Sequence, residues 1–173
     1  VGENDYVDDD KIDLTAMQKD LSSYKGKTST SSPSPHEWEN AFGDAEVVFC
    51  ITITSTLSGT YNSAVIAKDI YEQNHAGRKV YVLDSLSTGP EIALFIEKIA
   101  ELIKVGFAPD DIYKTLLEYK DKTHLYFSLA SLNNFAKNGR ISPVIAAGIG
   151  LLGVRVVGKA SEEGTLLPLD KCR

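Results

Sequence analysis

Cysteine is scarce in this 173-residue chain: only Cys50, inside an apolar run, and Cys172, near the end, are present. Two isolated thiols can build neither a disulfide framework nor a Cys-x-x-Cys metal site, and this usage fits a cytoplasmic protein. Positive charge is also short, since 18 Lys and Arg face 24 Asp and Glu for a net charge of −6. A chain without a basic surplus is poorly suited to nucleic-acid phosphates. Long apolar runs are missing: the longest, Pro143 to Val154, stops at Arg155 after 12 residues. A spanning helix needs about 20, which excludes membrane insertion by a helix. No charged-then-apolar leader opens the chain, and Val-Gly-Glu-Asn without a Met is the start expected of a chain whose upstream residues were removed.

Motifs are missing too. Gly-x-x-x-x-Gly-Lys-Ser/Thr is absent, and Gly148-Ile149-Gly150 lies inside an apolar run rather than after a strand, so nucleotide binding has little support. Gly-x-Ser-x-Gly is absent, and His36, His75 and His124 follow a proline, end a helix and start a strand, places that suit solvated or packed imidazoles. Asp8-Asp9-Asp10 lacks the glycine and spaced acids of a calcium loop and reads as solvated surface. Neither a metal nor a cofactor is expected.

What is present is an ordinary globular balance, 43% hydrophobic and 24% charged, enough for a sizeable core. Ile12, Leu14, Met17 and Leu21 recur on one helical face, which predicts a helix from Asp13 to Tyr24. Lys25 to Pro35 is crowded with hydroxyls and prolines and reads as a loop, docked at its end by a helix that starts at Pro35 and carries Trp38 and Phe42. Glu46 to Thr54 is apolar with almost no alternation, as in a strand covered on both faces. A polar turn and a helix over Tyr61 to Asn74 follow. The pattern then repeats with strand Lys79 to Leu83 and helix Glu91 to Val105, and a helix from Pro109 precedes a third strand, His124 to Leu129. Serial β–α units predict an α/β fold with a mainly parallel sheet and flanking helices. Ile141 to Leu152 predicts a tightly packed helix, and Val154 to Val157 with Leu166 to Leu169 a hairpin around Glu162-Glu163-Gly164. The expected organisation is a first domain over residues 1–138, then the start of a second α/β domain over residues 139–173.

In an open parallel sheet, ligands sit at the carboxyl ends of the strands, where the β–α turns converge. Here those turns are Thr54 to Thr60, Asp84 to Gly89 and Ser128 to Ser131, all rich in hydroxyls. A helix beginning at Gly59 or Thr60 offers unpaired N–H groups and a positive dipole end to an anion, with Ser58 as a further neutral donor. Ser58 is equally suited to capping that helix, and the two roles are compatible. Asn138-Gly139-Arg140 reads as a helix-ending turn, in which Arg140 either complements the helix end or supplies a cation to a site or a partner.

Thr30-Ser31-Ser32-Pro33-Ser34-Pro35, Ser55-Thr56-Leu57-Ser58-Gly59-Thr60-Tyr61-Asn62-Ser63-Ala64, Leu83-Asp84-Ser85 and Gly139-Arg140-Ile141-Ser142 together resemble the bacterial DegV family of fatty-acid-binding proteins in order and spacing. The resemblance covers nearly the whole chain. It implies a non-enzymatic carrier that holds one long-chain fatty acid in an apolar tunnel between two α/β domains and presents it to a fatty-acid kinase. Thr30, Ser31 and Ser58 would hydrogen-bond the carboxylate, with Gly59, Thr60, Asp84 and Ser85 in the matching turns and Arg140 at the charged end of the site or facing the kinase. Departures occur at Ser32, where the family has Gln, at Asn138, where it has Gly, and at Pro90 after Gly89. The family's opening strand with its Thr-Asp-Ser turn is absent, and the chain ends before much of the second domain, as a fragment would. The alternatives to a carrier are a Ser58-dependent acyl or phosphoryl transferase and a protein-interaction module working through Arg140 and the acidic surface.

Overall fold

A computed structural model of the chain describes residues 1–141 and 155–172. The predicted helix over Ile141 to Leu152 and Ser142 of the arginine turn lie outside the described residues, apart from Ile141. The first helix, α1 (Leu14–Ser23), is started by the Asp13 carboxylate, which accepts the Ala16 N–H. The hydroxyl-rich loop then runs to α2 (Pro35–Phe42), whose start is a complete capping box. Ser34 Oγ accepts the Glu37 N–H at 3.3 Å, and Glu37 accepts the Ser34 N–H at 2.7 Å.

Strands β1 (Val47–Thr52) and β2 (Lys79–Asp84) pair in parallel, with Val48 opposite Val80 and Cys50 opposite Val82. Helix α3 (Thr60–Asn74) makes the crossover between them, and α4 (Gly89–Lys104) and α5 (Pro109–Lys120) follow β2. Because successive strand residues point to opposite faces, the sheet divides its apolar residues between two cores. Val48, Cys50, Val80 and Val82 pack with Phe42, Ala64, Ala67 and Tyr71 on the α2–α3 side. Phe49, Ile51 and Leu83 pack with Phe95, Ile99, Leu102, Ile112 and Leu116 on the α4–α5 side. Burial on both faces is why these two runs lack alternation. The outer edge of β2 is closed by side chains: Glu72 accepts the Val80 N–H at 2.8 Å, and the Tyr113 hydroxyl donates to the Val82 carbonyl at 3.2 Å.

The α/β class and the parallel sheet agree with the sequence reading, but the third strand does not join that sheet. Strand β3 (Tyr126–Leu129) pairs antiparallel with β4 (Arg155–Ala160), which pairs antiparallel with β5 (Leu166–Cys172). The physical reason lies in its length and coverage. The strand has four residues alternating between exposed and half-buried, the pattern of a sheet covered on one face only. Helix α6 (Asn133–Lys137) lies between β3 and β4 in sequence, and Leu132, Ile141 and Val156, with Leu129 and Phe135, form a third, small core. The β4–β5 pair is the hairpin expected around Gly164, which has φ of +77°. Among the described residues no helix is long and apolar enough to cross a membrane.

Candidate carboxylate-binding site

The β1–α3 loop leaves the carboxyl end of β1 and enters α3 through Gly59, the N-cap residue. Having no side chain, Gly59 caps nothing, and Ser58 before it reaches only the first N–H of the helix. Ser58 Oγ lies 2.7 Å from Thr60 Oγ1 and accepts the Thr60 N–H at 3.3 Å. Apart from that one N–H, the N-cap residue of α3 makes no side-chain bond to the first turn, the condition under which a helix start attracts an external anion. Ser58 and Thr60 are half-buried beside it.

The Thr-Ser loop comes to the same place. A Cβ on Gly59 would lie 3.6 Å from Ser32 Oγ, so Ser32 borders the open side of the helix start. Ser63, one turn further along α3 and 9% exposed, donates its hydroxyl to the Pro33 carbonyl at 2.5 Å. Thr30 and Ser31 are exposed on the same loop and form none of the side-chain bonds seen for Ser58, Thr60 and Ser63. Ser63 was not singled out from sequence. Its signal is its position at the head of the buried stripe of α3, followed at helical spacing by Ala67 and Tyr71.

Asp84 and Ser85 sit on the neighbouring β2–α4 turn with their polar atoms engaged by backbone. The Asp84 carboxylate accepts the Ser55 N–H at 3.2 and 3.3 Å and the Leu86 N–H at 3.1 Å. Ser85, 2% exposed, accepts the Ser87 N–H on its hydroxyl at 3.1 Å. The Asp84–Ser55 contact ties the β1–α3 loop to the end of β2, and the other two order the β2–α4 turn itself. Arg140 follows Gly139, whose φ is +70°, and the Gly139 and Arg140 N–H groups bond to the Ala136 and Phe135 carbonyls at 3.0 and 2.8 Å. That is a Schellman ending of α6. Its guanidinium is turned toward the loop, with Nε donating to the Leu57 carbonyl at 3.3 Å and Nη1 to the Asn138 carbonyl at 2.5 Å. Thus Ser32, Ser58, Gly59, Thr60, Ser63 and Arg140 are gathered around one helix start. Among the described residues no group of His, Cys, Asp or Glu is arranged to hold a metal.

Fold and loops define an α/β protein with a hydroxyl-lined site at the carboxyl edge of a parallel sheet. The chain belongs to the DegV family, whose model (uncharacterised protein, DegV family) matches residues 1–173. It is 42% identical over 173 residues to a DegV domain-containing protein of Streptococcus pneumoniae, covering all of this chain and 62% of that relative. The chain thus spans less than two thirds of the length of the curated relatives it matches. The structure is similar to that of the Streptococcus pneumoniae fatty acid kinase (Fak) B3 protein loaded with linoleic acid, with a TM-score of 0.97 at 42% identity, covering 100% of this chain and 62% of that one. It is equally similar to a DegV family protein from Eubacterium eligens loaded with heptadecanoic acid, with a TM-score of 0.97 at 40% identity, covering 100% and 63%.

Proposed function

We propose that this protein is a fatty-acid carrier whose α3 start and surrounding hydroxyls hold the carboxylate of a long-chain fatty acid for a fatty-acid kinase. The observation that carries the reading is the uncapped start of α3, bordered by Ser58, Thr60, Ser63 and the Thr-Ser loop. Helix-start N–H groups and neutral alcohols favour a carboxylate without burying a compensating cation, and hydrogen bonds to a charged acceptor are the stronger kind. The fatty acids in the Streptococcus and Eubacterium relatives support this ligand class. In this reading residues 1–138 supply the head-group loops, Thr30 and Ser31 close over the carboxylate, and residues 139–173 open the second unit, whose sheet takes in β3. Arg140, exposed and tied to Leu57, is the cation offered to the kinase side.

A nucleophilic role for Ser58 has no comparable support. Its hydroxyl pairs with Thr60, and a serine nucleophile needs a base within hydrogen-bond reach.

Organic extraction of the purified full-length protein followed by mass spectrometry is expected to release long-chain fatty acids. Ser58→Ala is expected to weaken linoleic-acid binding roughly tenfold, one charge-assisted hydrogen bond's worth, and Ser63→Ala to weaken it by a smaller factor, because the Ser63 hydroxyl is spent on the Pro33 carbonyl and acts by holding the Thr-Ser loop in place. A clean extract together with unchanged affinity in both variants contradicts the proposal.

A further inference from the structure

Two contacts from the far end of the chain hold the loop that carries Ser58. Thr56 Oγ1 donates to the Gly164 carbonyl at 2.7 Å, across 108 residues of sequence, and Arg140 Nε donates to the Leu57 carbonyl. Gly164 occupies the tip of the β4–β5 hairpin and is buried, although Glu163 and Thr165 on either side are exposed. A Cβ at this position would collide with Thr54 Oγ1 and stand 3.0 Å from Leu86 Cα and 3.1 Å from the Leu86 carbonyl oxygen. Its φ of +77° also lies in the left-handed region that favours glycine. The tip is therefore seated in the notch between the β1–α3 and β2–α4 loops, a seat that only glycine fills.

Beneath the tip the notch is closed. Thr54, Ser85 and Ser87 are each 2% exposed or less, and the Thr54 N–H donates to the Ser87 carbonyl at 2.9 Å. Above it, residues 55–59 have no strand partner. Their ties are the Ser55 N–H to Asp84, the Thr56 hydroxyl and N–H to Thr54 Oγ1 at 2.9 and 3.4 Å, the Leu57 N–H to the Thr54 carbonyl at 3.2 Å, the Ser58–Thr60 hydroxyl pair, and the two contacts from the far end of the chain. We infer that the hairpin tip is a strap that fixes the Ser58 loop in its binding geometry, with Thr56 and Gly164 as positioning residues for head-group capture. The inference rests on the carboxylate reading above. A loop ordered in advance spends less of its binding free energy on ordering, and that gain is read mainly in the dissociation rate.

The test uses the full-length protein, linoleic acid as probe, and Thr56→Val, Thr56→Ser and Gly164→Ala. Thr56→Val keeps the shape and removes the hydroxyl that meets both Gly164 and Thr54, Thr56→Ser keeps that hydroxyl, and Gly164→Ala disturbs the tip while leaving the Thr56 hydroxyl in place, so an effect shared by Thr56→Val and Gly164→Ala belongs to the tip. Thr56→Val and Gly164→Ala are expected to speed amide hydrogen exchange over residues 55–60 about tenfold, and linoleic-acid dissociation by a similar factor, with association within about twofold. Thr56→Ser is expected to restore both. Unchanged exchange in Thr56→Val overturns the strap, and faster exchange with unchanged dissociation overturns the positioning role. If the wild type binds no linoleic acid, the carboxylate reading fails and the positioning role with it, while the exchange data still decide whether the tip holds the loop.

Discussion

Cys50 and Cys172 have the same chemistry and opposite circumstances. Cys50 lies in the α2–α3 core at 4% exposure, and burial pushes its thiol pKa up to about 12. Cys172 is exposed on β5. Because the thiolate is the reactive form, a disulfide reagent at pH 8 is expected to label one thiol per native chain, Cys172, and a second only after denaturation. Rapid labelling of both in the native protein contradicts the packing of β1. Hydroxyls are separated by the same logic of position. Composition marks every Ser and Thr of the loops equally, and only the fold shows that Ser85 serves backbone while Ser63 reaches across to Pro33. Ser58 was legible because it precedes Gly59 at a helix start. Ser63 was not, since a serine inside a helical stripe looks like a surface residue until the stripe is known to be buried.

At the scale of elements, local signals reported well where local physics decides. The proline-started α2 was readable from Ser34-Pro35 with Glu37, since capping boxes are built within one turn. The two parallel strands were readable because burial on both faces erases alternation. The partner of β3 was not readable: four residues that alternate in exposure state how a strand is covered, and the choice of neighbour is made by β4, 26 residues beyond its end. The capping box also predicts a pH response. Bonds from the Ser34 N–H and hydroxyl hold the Glu37 carboxyl below its ordinary value of 4.5. A carboxyl depressed by folding stabilises the native state above its unfolded pKa, and that contribution is lost as pH falls through the folded value. The start of α2 is therefore expected to loosen below about pH 4.5. Trp38, the single tryptophan, sits one residue beyond Glu37 and packs against the core, so its fluorescence reports the change. Glu37→Gln is expected to remove that pH dependence, and an identical acid transition in the variant contradicts the assignment.

At the scale of the molecule, the site is assembled from segments far apart in sequence: the loop before Pro35, the β1–α3 loop, the arginine turn after α6 and the hairpin tip at Gly164. The sequence named the motifs, yet their convergence depends on long-range packing that no local pattern encodes. What they surround is a helix start with alcohols and, at its periphery, Arg140, in a chain of net charge −6. On the proposed reading, such a site selects a carboxylate by geometry and partial charge rather than by a buried counter-ion. The most direct measurement is the affinity of the full-length protein for linoleic acid against its methyl ester, which keeps the chain and abolishes the anion. The acid is expected to bind at least tenfold more tightly, the scale of one charge-assisted hydrogen bond or more. Equal affinity for acid and ester would show that the start of α3 does not hold the head group.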